Sequence, residues 1–124
     1  MSASNDGLDK LRSDAQMLYK QIMGAAGKNP NVIRTNLQTV AGDAQQLSKS
    51  IKTLLETLQA DAQPYMRDAV AQVDEAAKEA KSAAAGQEAD LNSAGMALLA
   101  RARVIAADLS QAVAAQRHDA RFGK

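Results

Sequence analysis

The apolar residues of this chain recur at alternating spacings of three and four, in four segments separated by helix-ending residues. One face of an α-helix repeats at this spacing, whereas one face of a β-strand repeats at every second residue. The second segment keeps the spacing without a slip over eight positions: Ile33, Leu37, Val40, Ala44, Leu47, Ile51, Leu54 and Leu58. The pattern therefore predicts an all-α protein in which each helix buries one face.

Capping and helix-breaking residues set the expected bounds of the helices. Asp6 is expected to cap the first helix, and Asn29-Pro30 to begin the second as cap and first helical residue. Gln63-Pro64 interrupts the chain again, and the sequence leaves open whether the chain reverses or kinks there. Gly86 ends the third helix. We expect helices at about 6–23, 30–62, 64–85 and 87–117, with flexible tails at 1–5 and 118–124.

Length and composition indicate one helical domain spanning residues 1–124. The 124 residues include 27 alanines but only seven glycines and two prolines, too few for the many turns of a β-sandwich or barrel. The fold class expected is an antiparallel bundle of four helices of unequal length. Because a short helix leaves part of a long neighbour uncovered, we expect homodimerisation to complete the bundle.

A second line of apolar residues runs beside the main seam of the second and fourth helices. It widens the apolar face beyond what a single partner helix would cover. We take it as a candidate interaction surface, formed by Leu55, Leu99, Val104 and Val113.

Small residues on both sides of Gly86 predict close packing between the third and fourth helices. The end of the third helix (Ala77, Ala80, Ala84) is expected to face Ala94 and Gly95, which makes Gly95 a packing glycine. Farther from the turn the side chains are larger. There Met66, Val70 and Val73 are expected to meet Ile105 and Leu109.

No constellation of catalytic or metal-binding residues emerges from the sequence. His118 is the single histidine, and the residue three positions before it is Ala115, so the Glu-x-x-His pattern of bundle metal sites is absent. With no cysteine there is no thiolate ligand or thiol nucleophile. We expect no enzyme, no catalytic residue, no metal and no cofactor.

Charged residues cluster without defining a site. The acidic group Asp74, Glu75 and Glu79 is interleaved with Lys78 and Lys81, and Asp74 precedes Lys78 by the four residues that place opposite charges side by side. The C-terminal third carries several arginines, but Phe122 is its one aromatic residue and acidic residues dilute its charge. Nucleic-acid binding, which favours basic stripes interleaved with aromatics, is not expected.

The sequence offers no segment of about 20 apolar residues, the length needed to cross a membrane. Residues 1–7 are polar and lack the apolar core of a signal peptide. With 15 basic and 14 acidic residues the formal charge is +1, which gives no general attraction to anionic surfaces. We expect a cytoplasmic protein, with peripheral membrane contact left open.

Two functions are compatible with these features. The first is a non-catalytic interaction or scaffold protein that acts through self-association or by packing against a helix of a protein partner. The second is a peripheral amphipathic protein that coats a lipid or storage-granule surface. The alanine-rich composition, with Gln63-Pro64-Tyr65 between helices, resembles that of apolipoprotein repeats, the phasins of storage granules and bacterial stress-associated helical proteins. No residue role is transferred from that resemblance.

Overall fold

Four helices make up the fold. The computed structural model describes the backbone of residues 3–25 and 28–122, and the side chains of residues 6–25, 28–87 and 91–116. Nearly all of the described residues are helical and none of them is in a strand, which confirms the all-α prediction. The helices are α1 Ala3–Ala25, α2 Pro30–Leu55, α3 Gln63–Ala84 and α4 Glu88–Phe122.

The chain reverses in the connection between α2 and α3, just before Pro64 in the first turn of α3. Near the start of α2, Arg34 Nη2 donates to the Gly86 carbonyl oxygen at 3.2 Å, while near its end Lys52 Nζ lies 3.9 Å from Asp74 Oδ2. An early residue of α2 thus meets the end of α3, and a late residue meets its middle. The two helices are antiparallel, so Pro64 marks a reversal and not a kink.

Helices α1 and α3 lie on opposite sides of the α2–α4 pair. Each packs against both α2 and α4, whereas in the described part of the chain no Cα atom of α1 comes within 8 Å of one in α3. One continuous core draws side chains from all four helices. Its largest fully buried members include Leu8, Leu37, Ile51, Met66, Leu98 and Ile105.

Helix α2 ends at Leu55, seven residues before the end at 62 that the apolar spacing predicts. Both the backbone N–H and the hydroxyl of Thr57 donate to the Leu54 carbonyl oxygen, at 2.9 and 2.8 Å, and close the last turn. Leu58 and Ala62 remain buried in the core. The seam therefore continues through the connection, because a non-helical segment also places these two side chains against the core.

The other helix bounds follow the capping signals with small differences. The Asn29 side chain accepts a hydrogen bond from the Val32 N–H at 3.0 Å, which confirms it as the cap of α2. Helix α1 begins at Ala3, so Asp6 lies within its first turn and is not its cap. Residues 3–5 and 118–122 are helical where tails were expected. Residues 1–2 and 123–124, also assigned to the tails, lie outside the described residues.

The predicted role of Gly95 as a packing glycine between α3 and α4 is wrong. A Cβ atom built on Gly95 would meet no atom within 4 Å. Helix α4 instead turns Ala94 toward α3, where it borders a shallow groove together with Ala83. Gly95 lies one residue, about 100° of helix rotation, away and faces a different groove.

Candidate functional site

The solvent side of α4 carries a second heptad-like series of uncharged residues. They recur at spacings of four and three, and every one of them is exposed. We call this series the outer seam: Ser93, Ala97, Ala100, Val104, Ala107, Gln111 and Ala114. The opposite side of α4 carries the core seam, which includes Leu98, Ile105 and Leu109. Over residues 91–116 the helix is therefore apolar or neutral on both its buried and its exposed side.

Charge is sparse along the described part of α4. Between residues 91 and 116 it consists of Arg101, Arg103 and Asp108. Arg103 is exposed on the flank of the outer seam that faces α1, while Arg101 and Asp108 lie on the flank that faces α3. The solvent-facing surface of a helix normally carries more charged residues than this. Single apolar residues are common on such surfaces, but a continuous series of uncharged residues is not.

An open apolar groove of about 260 Å³ adjoins the outer seam at the N-terminal end of α4. It lies between α1, α2 and α4, and Ile22, Leu37 and Leu99 form much of its wall. Met96 stands at its rim with 75% of its surface exposed. Gly95 borders this groove, which explains why an added Cβ would meet nothing. The groove and the outer seam form one continuous uncharged surface.

The structure separates the four residues predicted as an interaction surface. Val104 is 41% exposed and belongs to the outer seam. Leu99 lines the groove, and Leu55 is half-buried against the core at the end of α2. Val113 is only 6% exposed and belongs to the core itself. Val104 and Leu99 thus share the α4 surface, whereas Leu55 and Val113 do not add to it.

Sequence reasoning missed a pair of carboxyl groups between α3 and α4. Asp108 Oδ2 is inaccessible to solvent and has no hydrogen-bond partner. Burial first, and then the hydrogen bond and negative charge of Asp68, raise the pKa of Asp108 to about 7. Two carboxyl groups form a hydrogen bond only when one of them holds a proton. No sequence spacing marks this pair, because it depends on how α3 and α4 align.

The acidic group on α3 is neutralised mainly by other helices. Asp74 accepts a hydrogen bond from Ser48 Oγ at 2.6 Å and lies near Lys52, both on α2. Glu79 forms an ion pair with Arg101 on α4. Lys78, which the sequence spacing paired with Asp74, instead has its Nζ 3.8 Å from Glu75 Oε1. Asp74 and Glu79 therefore join α3 to α2 and α4, while Glu75 pairs within α3.

Arg101 belongs to the same interhelical contacts. Besides Glu79, its guanidinium donates to Gln72 Oε1 at 2.8 Å. Arg101 is therefore occupied within the chain and contributes little free positive charge to the surface of α4. The side chain of His118 lies outside the described residues.

The described residues define a four-helix bundle whose most distinctive surface is the outer seam with its adjoining groove. Among them, no group of three or more histidine or carboxylate side chains could hold a metal ion, and no helix has the length and apolar character needed to cross a bilayer. No family model matches the chain, and neither the curated proteins nor the solved structures contain a match.

Proposed function

We propose that this protein is a non-catalytic helical scaffold that acts by self-association through the outer seam of α4. The observation that carries the proposal is the exposed heptad-like series of uncharged residues on a helix that is also apolar toward its own core. A continuous uncharged series on the exposed side of a helix commonly marks a surface that a partner covers. A second copy of the chain would bury the outer seam, since a two-fold axis brings the same surface of two copies together.

The character of the outer seam favours a helix as its partner. Alanine at most positions lets two helix axes approach closely, and a spacing of four and three residues keeps the contact facing the partner along the whole helix. Between residues 93 and 114 the seam extends for about 31 Å, given a rise of 1.5 Å per residue. The exposed Met96 adds a flexible apolar side chain at one end.

Light scattering coupled to size exclusion tests the proposal. The protein is expected to elute with the mass of a dimer at tens of micromolar. Ala107→Glu, which places a charge in the outer seam, is expected to yield a monomer with an unchanged circular dichroism spectrum. Ala71→Glu is the matched control, because Ala71 is also an exposed alanine but lies on α3 outside the seam, and this variant should remain dimeric. A wild-type protein that is still monomeric at several hundred micromolar would contradict the proposal.

The second candidate is a protein that coats a lipid or storage-granule surface. Exposed Met17, Met23 and Met96 favour it, since each is more than half exposed and apolar. Against it, Arg101 is held by Glu79, which among residues 91–116 leaves Arg103 as the one unpaired cation beside the apolar surface. The same light-scattering experiment with anionic and neutral vesicles separates the two functions. Vesicle binding with loss of the dimer would favour the coat, whereas an unchanged dimer that stays free of vesicles supports the scaffold.

A further inference from the structure

The two flanks of the outer seam carry opposite charges whose spacing matches a parallel helix pair. Arg103 directly precedes the seam residue Val104 and lies on the α1 side, while Asp108 directly follows Ala107 and lies on the α3 side. In heptad terms Arg103 occupies a g position and Asp108 the e position five residues later. In a parallel coiled coil, g of one helix and the following e of its partner are neighbours.

Both groups lack an oppositely charged partner within the described part of the chain. Arg103 is exposed, and no ion pair involves it there. Asp108 meets the carboxyl group of Asp68; its Oδ2 is closed off inside the chain, whereas Asp68 is exposed at the surface. Arg101, one heptad before Asp108 on the same flank, is already bound by Glu79 and Gln72. Among the described residues no cation pairs with the exposed Asp68 side of these two carboxyl groups, and a second copy could supply one there.

From this charge complementarity we infer that two copies pair through their outer seams in parallel and in register, with Arg103 of each copy bound to the Asp68–Asp108 carboxyl pair of the other. The inference rests on the proposed self-association and names its geometry. Two-fold symmetry forms the ion pair twice. An antiparallel pair would bring like flanks together, so Arg103 would face the flank of the other copy that also carries Arg103. Asp108 would face the flank that carries Arg101, and it would have to compete with Glu79 and Gln72 for that guanidinium.

Single-cysteine cross-linking tests the parallel register. The chain has no cysteine of its own, so Ala100→Cys and Ala114→Cys each introduce one thiol into the outer seam. In a parallel, in-register pair each cysteine lies opposite the same cysteine of the other chain, at disulfide distance. Both variants should therefore form covalent dimers under mild oxidation. In an antiparallel pair only one point of the helix can lie opposite the same point of the other chain. Positions 100 and 114 are 14 residues apart, so at most one of the two variants could then cross-link. Ala71→Cys on α3 is the control that should not cross-link.

Charge reversal tests the ion pair. Arg103→Asp alone and Asp108→Arg alone each place like charges opposite one another twice in the homodimer, and each should weaken dimerisation about tenfold in sedimentation equilibrium. Mixing the two variants should restore the dimer dissociation constant to within about twofold of the wild-type value. In the heterodimer, each contact between position 103 of one chain and position 108 of the other then joins opposite charges. Lys20→Asp, at an exposed position on α1, changes the charge as Arg103→Asp does and should leave dimerisation unchanged.

The outcomes separate this inference from the proposed function. A dimer that cross-links at both positions, and whose charge-reversal variants recover on mixing, supports both. A dimer that cross-links at one position or neither, or whose charge-reversal variants do not recover on mixing, overturns the parallel pairing but leaves self-association standing. A wild-type monomer overturns both.

Discussion

Asp108 is the residue at which the described structure departs most from ordinary surface chemistry. Its carboxyl group is half-buried between α3 and α4 and meets Asp68, and these two causes raise its pKa to about 7. The folded chain therefore binds a proton at Asp108 more tightly than the unfolded chain, whose carboxyl titrates near 3.8. The stabilisation from that proton is complete below about pH 4, declines as the pH rises to about 7, and is absent above it.

Replacing Asp108 with asparagine removes this dependence. Asp108→Asn is expected to be more stable than wild type at pH 8 by about 1 kcal/mol, a value kept small because water screens a half-buried group. The difference should shrink toward zero as the pH falls to 4. Urea unfolding of dilute protein across this range measures it. Asp43→Asn, at an exposed position on α2, is the control, and an equal response of the two variants would contradict the assignment to Asp108.

Gly95 is the second residue whose behaviour the structure decides. Because an added Cβ meets nothing and the backbone is helical, Gly95→Ala should stabilise the protein by about 0.5–1 kcal/mol. Gly42→Ala, which is also free of contacts within 4 Å, should do the same. Gly95→Leu should stay close to Gly95→Ala in thermal unfolding, since the groove has room for it. Strong destabilisation by leucine alone would show that another helix does approach Gly95.

At the scale of elements, the connection between α2 and α3 depends on a side chain from the far end of the chain. Gln116 Oε1 on α4 accepts a hydrogen bond from the backbone N–H of Gln59 at 2.9 Å, and Gln116 is only 7% exposed. Gln63, the first residue of α3, donates from Nε2 to the Leu58 carbonyl oxygen in the connection. These bonds satisfy backbone groups that a continuing helix would have paired internally, so α2 can end at Leu55 at little cost.

Loss of the Gln116 side chain should therefore destabilise the reversal. Gln116→Ala leaves the Gln59 N–H without its protein partner and is expected to cost about 1–2 kcal/mol. Gln38→Ala, at an exposed position on α2, should change stability by less than about 0.5 kcal/mol. Chemical unfolding gives both values, and hydrogen exchange at Gln59 should accelerate in Gln116→Ala. Equal stability of the two variants would show that the hydrogen bond does not hold the connection.

For the whole molecule, the core joins two helices whose backbones are not adjacent. Among the described residues no Cα atom of α1 lies within 8 Å of one in α3, yet both helices pack on α2 and α4 and belong to one continuous cluster. A continuous core makes the loss of one helix expose the others, so the bundle is expected to unfold in a single cooperative step.

The two tyrosines report on that cooperativity, because Tyr19 lies on α1 and Tyr65 on α3. In Tyr65→Phe the fluorescence follows α1, and in Tyr19→Phe it follows α3. Each fluorescence transition should coincide with that variant's own helix loss by circular dichroism. Leu98→Ala, at a fully buried position on α4, should lower the unfolding free energy by about 3 kcal/mol and shift both transitions together. Tyrosine signals that separate would show that α1 and α3 unfold independently.

Local interactions fixed what could be derived from the sequence: the helical type of all four segments, the residues of the core seam, and the Asn29-Pro30 start of α2. Apolar periodicity and capping act within one or two turns, so a single segment contains the whole signal. The tertiary structure alone decided the end of α2 at Leu55, the pairing of Asp74 with α2, the open surroundings of Gly95 and the meeting of Asp68 with Asp108. Each of these depends on the rotation and register of one helix against another, which are set by packing between segments distant in the chain.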